Sequence, residues 1–195
     1  VRRIRLFNST VSTDFEVTEA GIRDLRAALD DGRVTSVRLV QAYLRRIEAY
    51  DRGGPCLNSV VVLNPDALAD AAASDQRRSR GELRGPLDGI PYTAEDSYLA
   101  TGLTAAAGSY AFEDLVAQRD AFAIERLRGG GAVLIGLTNM PAMANGGMQR
   151  GLYGRAESPY SAEYLTSAFG SGSSNGSGTA TAASCAAFGL GGEPW

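Results

Sequence analysis

Lysine and histidine are both absent from this chain of 195 residues, and its 19 basic residues are all arginine. Without lysine there is no Walker A loop, and without histidine there is no histidine-containing zinc site or Ser-His-Asp triad. Arginine keeps its proton in proteins, so the general bases that remain are carboxylates, tyrosine and cysteine. The two missing residue types therefore exclude most of the common hydrolytic sites.

Cysteine is scarce as well, and long apolar runs are missing. Cys56 and Cys185 stand far apart without CxxC spacing, which predicts neither a disulfide framework nor a metal site. No stretch approaches the roughly 18 continuous apolar residues of a membrane span. A polar segment follows the pair Arg2-Arg3 where a signal peptide would be apolar, so the sequence predicts a cytoplasmic protein without membrane contact.

The composition is that of a globular protein. Hydrophobic residues make up 44% of the chain and charged residues 21%, which is enough apolar mass for one core. The formal net charge of −3 offers no basic surface for nucleic acid. Neither an interdomain linker nor an internal repeat is evident, so we expect residues 1–195 to form a single domain.

Helical and extended patterns alternate along the chain. Apolar residues at helical spacing predict helices over about 18–31 and 35–50, the second being the clearest amphipathic helix in the sequence. Apolar, β-branched runs predict strands at 58–64 and 132–138, and Gly-Pro punctuation at 85–92 marks the entry to another. Further helices are expected at the positions 65–74, 117–127 and 179–187, and a polar connector at 76–82. Such alternation predicts an α/β fold with substantial parallel pairing.

A run of glycine and serine, Gly170-Ser-Gly-Ser-Ser-Asn-Gly-Ser-Gly178, is the most informative segment. Glycines let a ligand approach the backbone, and successive amides at the start of a helix form an anion or oxyanion site. A flexible linker has the same composition, although the small-residue helix expected after it favours a site. A dinucleotide-binding loop needs GxGxxG, and the glycine spacing here does not match it.

This run and the segments before it resemble the amidase signature family. The similarity covers nearly all of the chain after about residue 17 and keeps the motifs in order. The matching stretches are Ala-Tyr-Leu-Arg-Arg-Ile-Glu-Ala-Tyr (42–50), Gly-Pro-Leu-Asp-Gly-Ile-Pro-Tyr (85–92), Thr-Ala-Ala-Ala-Gly-Ser (104–109), Ala-Val-Leu-Ile-Gly-Leu-Thr-Asn-Met (132–140) and Ser-Gly-Ser-Ser-Asn-Gly-Ser-Gly (171–178). The resemblance implies part of an α/β/α layered fold with a mixed sheet and N-terminal helices, and hydrolysis of amide bonds by a Ser–cis-Ser–Lys triad without a cofactor.

Carried over by position, that triad is incomplete. The cis-serine falls on Ser173, Glu95 occupies the place of the lysine, and the nucleophilic serine falls just beyond Trp195. A carboxylate is a far weaker base than the neutral lysine of the family and brings negative charge towards a developing oxyanion. We expect Asp96 to be structural rather than catalytic, because adjacent strand residues point to opposite faces. The resemblance also implies four substrate-binding residues, namely Asn139, Met140, Gly172 and Ser174.

The sequence therefore predicts an amidase-like chain that is inactive as written, a truncated or degenerate relative of enzymes acting on small-molecule amides. Two alternatives remain open: a non-catalytic binding module that retains the fold, and one piece of an enzyme whose remainder lies on another chain. Ser174 and Ser177 are expected to hydrogen-bond the backbone rather than act as substitute nucleophiles. Strands ending near Leu137 and Leu190 are expected to lie at exposed sheet edges, which a partner chain would cover.

Overall fold

The structure is a computed structural model that describes residues 15–146, 148, 150–167 and 170–192. The arginine pair near the start and the segment after Gly192 lie outside the described residues. Within the described part, no helix combines the length and apolar character that a membrane crossing requires.

Five α-helices and four strands make up the described fold, together with three short helical turns. The helices are α1 (Ile22–Asp30), α2 (Ser36–Arg46), α3 (Ala67–Arg80), α4 (Phe122–Gly129) and α5 (Asn175–Ala182). The strands are β1 (Val60–Leu63), β2 (Pro91–Glu95), β3 (Val133–Thr138) and β4 (Phe188–Leu190). A π-helical segment, Ile47–Arg52, extends α2, and single 3₁₀ turns lie at Tyr110–Phe112 and Ala142–Ala144.

The four strands form one mixed sheet in the order β1-β3-β2-β4. β2 pairs in parallel with both β3 and β4, while β1 is antiparallel to β3. The helices needed to connect parallel strands pack on the sheet, as the alternating sequence pattern predicted. The expected α/β class with a mixed sheet and N-terminal helices is confirmed.

Successive side chains of β2 point to opposite faces of the sheet. Tyr92 and Ala94 join an apolar cluster with Ile124 of α4, whereas Thr93 and Glu95 lie on the face covered by α5. Every residue of β2 is buried, since helices cover both faces. The strand therefore delivers a carboxylate, Glu95, into the interior beneath α5.

The N-terminal helices partly follow the predicted apolar stripes. Leu25 and Leu29 of α1 share one core cluster with residues of α2, and Val40 is also buried. Ile22, the first residue of α1, is 37% exposed, and α2 gives way to the π-helical segment after Arg46. Periodicity identified both helices, but it could not place their ends.

Three other boundaries differ from the sequence prediction. α3 continues to Arg80 through the expected polar connector, because Arg77 and Arg78 hydrogen-bond to Asp88 from the helix surface. α4 starts at Phe122 rather than near 117, and α5 starts at Asn175 rather than near 179. For α3 and α5, contacts with residues outside the helix, Asp88 and Asn139, accompany the changed boundary, and local propensity does not contain them.

One expected sheet edge is wrong and the other is confirmed. β3, which contains Leu137, lies between β1 and β2, so it is an interior strand rather than an edge. An antiparallel pairing with the distant β1 covers it. β4, which ends at Leu190, pairs only with β2 within the described residues and forms an edge of the sheet.

Candidate active site

The carboxylate of Glu95 is the centre of the candidate site. It lies at the carboxyl end of β2, in register with Thr138 of β3, and is completely buried. The carboxyl ends of parallel strands are where open α/β sheets bind ligands. Glu95, predicted from its position in the family motif, therefore lies where this class of fold places its chemistry.

The Gly/Ser run turns into α5 directly over this end of the sheet. Gly176, in the first turn of α5, donates its backbone N–H to the carbonyl of Asn139 at 3.1 Å. A Cβ atom at Gly176 would lie 2.3 Å from that carbonyl oxygen and 2.5 Å from the Asn139 nitrogen. Only glycine allows this approach, so the small residues here serve close packing rather than linker flexibility.

The other end of α5 is fixed by an arginine from α2. Arg46 donates from Nε to the Ser184 carbonyl at 2.9 Å and from Nη2 to the Ala183 carbonyl at 2.8 Å. A guanidinium at a helix C-terminus satisfies carbonyls that have no partner within the helix. α5 is thus held at both ends, and its start presents two serines to Glu95.

Ser173 and Ser174 both contact the Glu95 carboxylate. The Ser173 hydroxyl donates to Oε1 at 2.5 Å, while Ser174 Oγ lies 3.0 Å from Oε2 and 2.8 Å from the Gly192 carbonyl oxygen. The single Ser174 proton can be donated to only one of these two oxygens at a time. The backbone N–H of Gly192 donates to Oε2 at 2.6 Å, which closes the cluster.

Glu95 is held by neutral donors alone. Within the described residues it forms no ion pair with an arginine, and the sequence has no lysine or histidine. The two hydroxyls and one amide stabilise the carboxylate through hydrogen bonds without a balancing charge. The geometry resembles a nucleophile paired with its base, but Ser173 is only 2% exposed.

Ser177 is used in packing. Its hydroxyl donates to the Leu190 carbonyl at 3.0 Å and lies 2.6 Å from Thr138 Oγ1, so it links α5 to β3 and β4. Of the two serines expected to hydrogen-bond the backbone, Ser177 bonds Leu190, and Ser174 lies within hydrogen-bond distance of the Gly192 carbonyl as well as of Glu95.

The remaining sequence candidates occupy different surroundings. Asn139 and Met140 are buried at the end of β3, whereas Gly172 has a φ of 129°, in the region that favours glycine. No cis peptide bond occurs in the described residues, and this includes the bond before Ser173. Nor do those residues contain a group of three or more cysteine, aspartate or glutamate side chains arranged to hold a metal ion.

Asp96 directly follows β2, and its carboxyl group contacts the 104–109 loop, whereas Glu95 contacts the start of α5. Its Oδ2 accepts the backbone N–H of Gly108 at 2.9 Å. Burial, with a smaller contribution from the Glu95 charge, raises the pKa of Asp96 to about 6, against the opposing hydrogen bonds of the Gly108 and Ala106 amides. Asp96 thus anchors the 104–109 loop behind the cluster.

Ser174 also borders a cavity of about 340 Å³ on the outer side of α5. Hydroxyl groups are common in its wall, which suits a polar, hydrogen-bonding ligand. The lining residues that carry hydroxyls are Ser158, Tyr160, Thr166, Ser167, Ser171, Ser174 and Thr179. Ser174 is therefore the member of the cluster that a ligand in this cavity could reach.

Sequence reasoning missed two residues that build the site, one within the cluster and one at the far end of α5. Gly192 supplies an N–H and a carbonyl through its backbone, and Arg46 acts from a surface that has the pattern of a solvated helix face. The pair Gly191-Gly192 directly after β4 was the available signal for the first. Nothing in the sequence pattern marks the second, because the two carbonyl groups that Arg46 binds at the end of α5 lie 137 and 138 residues away.

Comparisons with known proteins relate the chain as a whole to one family. The family model described as Amidase matches residues 38–193. A glutamyl-tRNA(Gln) amidotransferase subunit of Thioalkalivibrio sulfidiphilus is 38% identical over 167 residues, which cover 85% of this chain and 33% of that protein. The chain spans about a third of the length of the curated relatives it matches.

Solved structures give the same result. A peptide amidase in complex with the inhibitor chymostatin superposes with a TM-score of 0.80 and 41% identity, covering 88% of this chain and 36% of the enzyme. The native peptide amidase from Stenotrophomonas maltophilia gives a TM-score of 0.78 and 40% identity, covering 86% of this chain and 35% of that one.

Proposed function

The chain belongs to the amidase family, and from that premise we propose that it is the part of a single amidase domain that carries the serine relay of an amide C–N hydrolase. In this proposal Ser173 is the relay serine and Glu95 replaces the lysine base. The observation that carries it is the Ser173 hydroxyl donating to Glu95 at 2.5 Å beneath the start of α5.

The position of Ser173 fits a relay. A relay serine accepts a proton from the attacking serine while passing its own to a base, and Ser173 Oγ lies 2.5 Å from a carboxylate oxygen of Glu95, with the Gly192 carbonyl oxygen as a second acceptor at 3.1 Å. The weakness lies in the acceptor, since a carboxylate holds a proton far less tightly than the amine it replaces. The geometry at Glu95 therefore suits a relay, whereas the family's amide hydrolysis uses an amine as the base.

A non-catalytic binding role is the second candidate. Glu95 receives hydrogen bonds from Ser173, Ser174 and the Gly192 amide, so the carboxylate joins β2, the start of α5 and the segment after β4. Such a group stabilises the fold whether or not a reaction takes place. The hydroxyl-lined cavity beside Ser174 would then bind a polar ligand, such as a small amide, without turnover.

The exposed edge of β4 suits a further strand. Its only sheet neighbour within the described residues is β2, and the relatives extend well beyond the matched third. The proposal therefore includes additional chain, in the same protein or in a partner, that pairs with this edge and supplies the attacking serine. The 195 residues alone, with or without Glu95→Lys, are expected to show no amide hydrolysis.

A chimera tests the catalytic proposal. This chain replaces the matching third of the Stenotrophomonas maltophilia peptide amidase, once with Glu95 and once with Glu95→Lys, and both are assayed on a chromogenic aromatic amide. We expect the Glu95 chimera to be slower by about 10²- to 10⁴-fold, the usual effect of losing a positioned base. Ser173→Ala in the Glu95→Lys chimera is the control and must abolish the gain.

The outcomes separate the two candidates. Activity that appears only with Glu95→Lys and depends on Ser173 supports an amidase site in which Glu95 has replaced the catalytic base. Equal activity of both chimeras would show that Glu95 does not stand in the place of the base. If both chimeras fold and neither turns over substrate, the binding role is favoured, and equilibrium binding of the same amide then tests it directly.

A further inference from the structure

Two buried oxygen atoms behind the candidate site have no hydrogen-bond donor in the described part of the chain. They are Oδ1 of Asp96 and Oδ1 of Asn139. Asp96 is fully buried and Asn139 is 1% exposed. A buried polar atom without a partner destabilises a fold by about 1–3 kcal/mol, so two such atoms in one place require an explanation.

The sheet register places these two residues side by side. Glu95 and Thr138 are partners at the ends of β2 and β3, and the Asp96 N–H donates to the Thr138 carbonyl at 3.0 Å. Asp96 and Asn139 directly follow these partners, so the continued register places them next to each other just beyond the ends of the two strands. Neighbouring strands lie about 4.8 Å apart, which brings such side chains within reach of each other.

The other polar atoms of both side chains are already engaged. Asn139 donates from Nδ2 to the Asn58 carbonyl at 2.9 Å, which fixes its amide so that Oδ1 can only accept. Asp96 accepts from the Gly108 amide through Oδ2 at 2.9 Å, and the Ala106 amide beside its carboxyl group also favours the ionised form. When Asp96 is ionised, both remaining oxygens are acceptors, and neither can satisfy the other.

We propose that Asp96 carries a proton on Oδ1 and donates it to Oδ1 of Asn139, forming a titratable hydrogen bond between the carboxyl ends of β2 and β3. The proton comes from solvent and returns to it when Asp96 ionises, so no other reactant is needed. A single proton satisfies both buried oxygens. This inference does not depend on whether the chain hydrolyses amides.

The surroundings favour this protonated form. Burial raises the pKa of Asp96, and the neighbouring Glu95 charge acts in the same direction. From the 150–157 loop, Tyr153 is the titratable group whose charge interacts with Asp96. The 104–109 loop contributes only backbone amides, and these favour the ionised form. The hydrogen bond would therefore form in mild acid and break as the pH approaches neutrality.

Asp96→Asn mimics the protonated state, because its amide can donate to Asn139 while its oxygen accepts from Gly108. Denaturant unfolding of the full chain and of this variant is compared between about pH 4 and about pH 8. A raised native pKa means that the folded state binds more protons across this range, so the wild type loses stability as pH rises. Relative to Asp96→Asn, its folding equilibrium constant should fall by roughly a hundred-fold, one factor of ten per unit of pKa difference.

Infrared spectroscopy gives a second measurement that needs no unfolding. The wild type should show the C=O stretch of a buried carboxylic acid, which disappears as the pH is raised and is absent from Asp96→Asn. Asn139→Leu removes the acceptor, so the loss of this band should move to lower pH.

Three results would overturn the proposal. One is a stability difference between the wild type and Asp96→Asn that does not change with pH. Another is the absence of any acid band assignable to Asp96. The third is stabilisation at the upper pH by sodium, potassium or ammonium, but not by tetramethylammonium, which would show that a bound cation rather than a proton satisfies the two oxygens.

Discussion

Ser173 and Glu95 are 78 residues apart in sequence, yet the Ser173 hydroxyl donates to the Glu95 carboxylate at 2.5 Å inside the protein. Each residue lies at the start or end of a regular element, Glu95 at the end of β2 and Ser173 just before α5. Ser174 and the Gly192 amide contact the second oxygen. This arrangement gives specific expectations for stability as well as for chemistry.

Glu95→Gln should destabilise the chain by about 1–3 kcal/mol, the usual effect of leaving buried donors without acceptors. The new side chain keeps one oxygen but turns an NH₂ group towards either the Gly192 amide or the serine hydroxyls. Urea unfolding of the variant measures the change. Glu82→Gln, at an exposed glutamate, is the matched control and should shift stability by less than about 0.5 kcal/mol. Equal stability of the two variants would show that the cluster contributes nothing to the fold.

Gly176→Ala should be strongly destabilising, because its Cβ atom would lie 2.3 Å from the Asn139 carbonyl oxygen. The contact is backbone to backbone, so a side-chain rotation cannot relieve it. We expect a loss of at least about 2 kcal/mol, within the range for overpacked interiors. The control is Gly178→Ala, two residues further along α5, where a Cβ atom meets nothing within 4 Å. Thermal unfolding should show no loss for the control and a gain of up to about 1 kcal/mol from helix propensity.

Asp88→Asn should lower the stability of the protein near neutral pH. The contribution of Asp88 is lost as the pH falls, whereas that of Asp96 is lost as the pH rises. Burial raises the pKa of Asp88, but hydrogen bonds from Arg77 and from the Arg84 amide outweigh it and leave the pKa below its usual value. Arg77 binds both carboxylate oxygens, at 3.0 and 2.7 Å. A lowered native pKa gives stability that is present above the unfolded value and lost as the pH falls. The variant should therefore be weaker than the wild type near neutrality in denaturant unfolding, and the difference should shrink in acid.

The β4 edge should make the 195-residue chain prone to association. β4 pairs only with β2 among the described strands, and its residues are half-buried rather than covered. Exposed strand edges template pairing with other chains. We expect binding of a dye that reports apolar surface, together with concentration-dependent association in light scattering. A clean monomer that unfolds cooperatively and binds no dye would contradict this expectation.

Local patterns carried most of the information about element type. The apolar stripe before Tyr50, the β-branched run ending at Thr138 and the ordered family motifs predicted helices, strands and an α/β class that the structure confirms. They could not fix where elements end. α5 begins at Asn175 because a backbone approach between Gly176 and Asn139 stabilises its first turn, and no window of sequence around the glycines contains Asn139.

The sequence by itself determined which chemical groups this protein can use, because it has no lysine or histidine and carries a carboxylate, Glu95, at the end of β2. Only the tertiary structure decided what that carboxylate contacts. Glu95 has two serine hydroxyls and the Gly192 amide as partners because β2, α5 and the end of β4 converge there. The tertiary structure also decided the role of the glycine-serine run 170–178. Its composition fits either a flexible linker or the start of a packed helix, and the structure shows the second. Residue types fix charge and hydrogen-bonding capacity locally, whereas distances between residues 78 or 97 positions apart depend on the packing of the whole sheet.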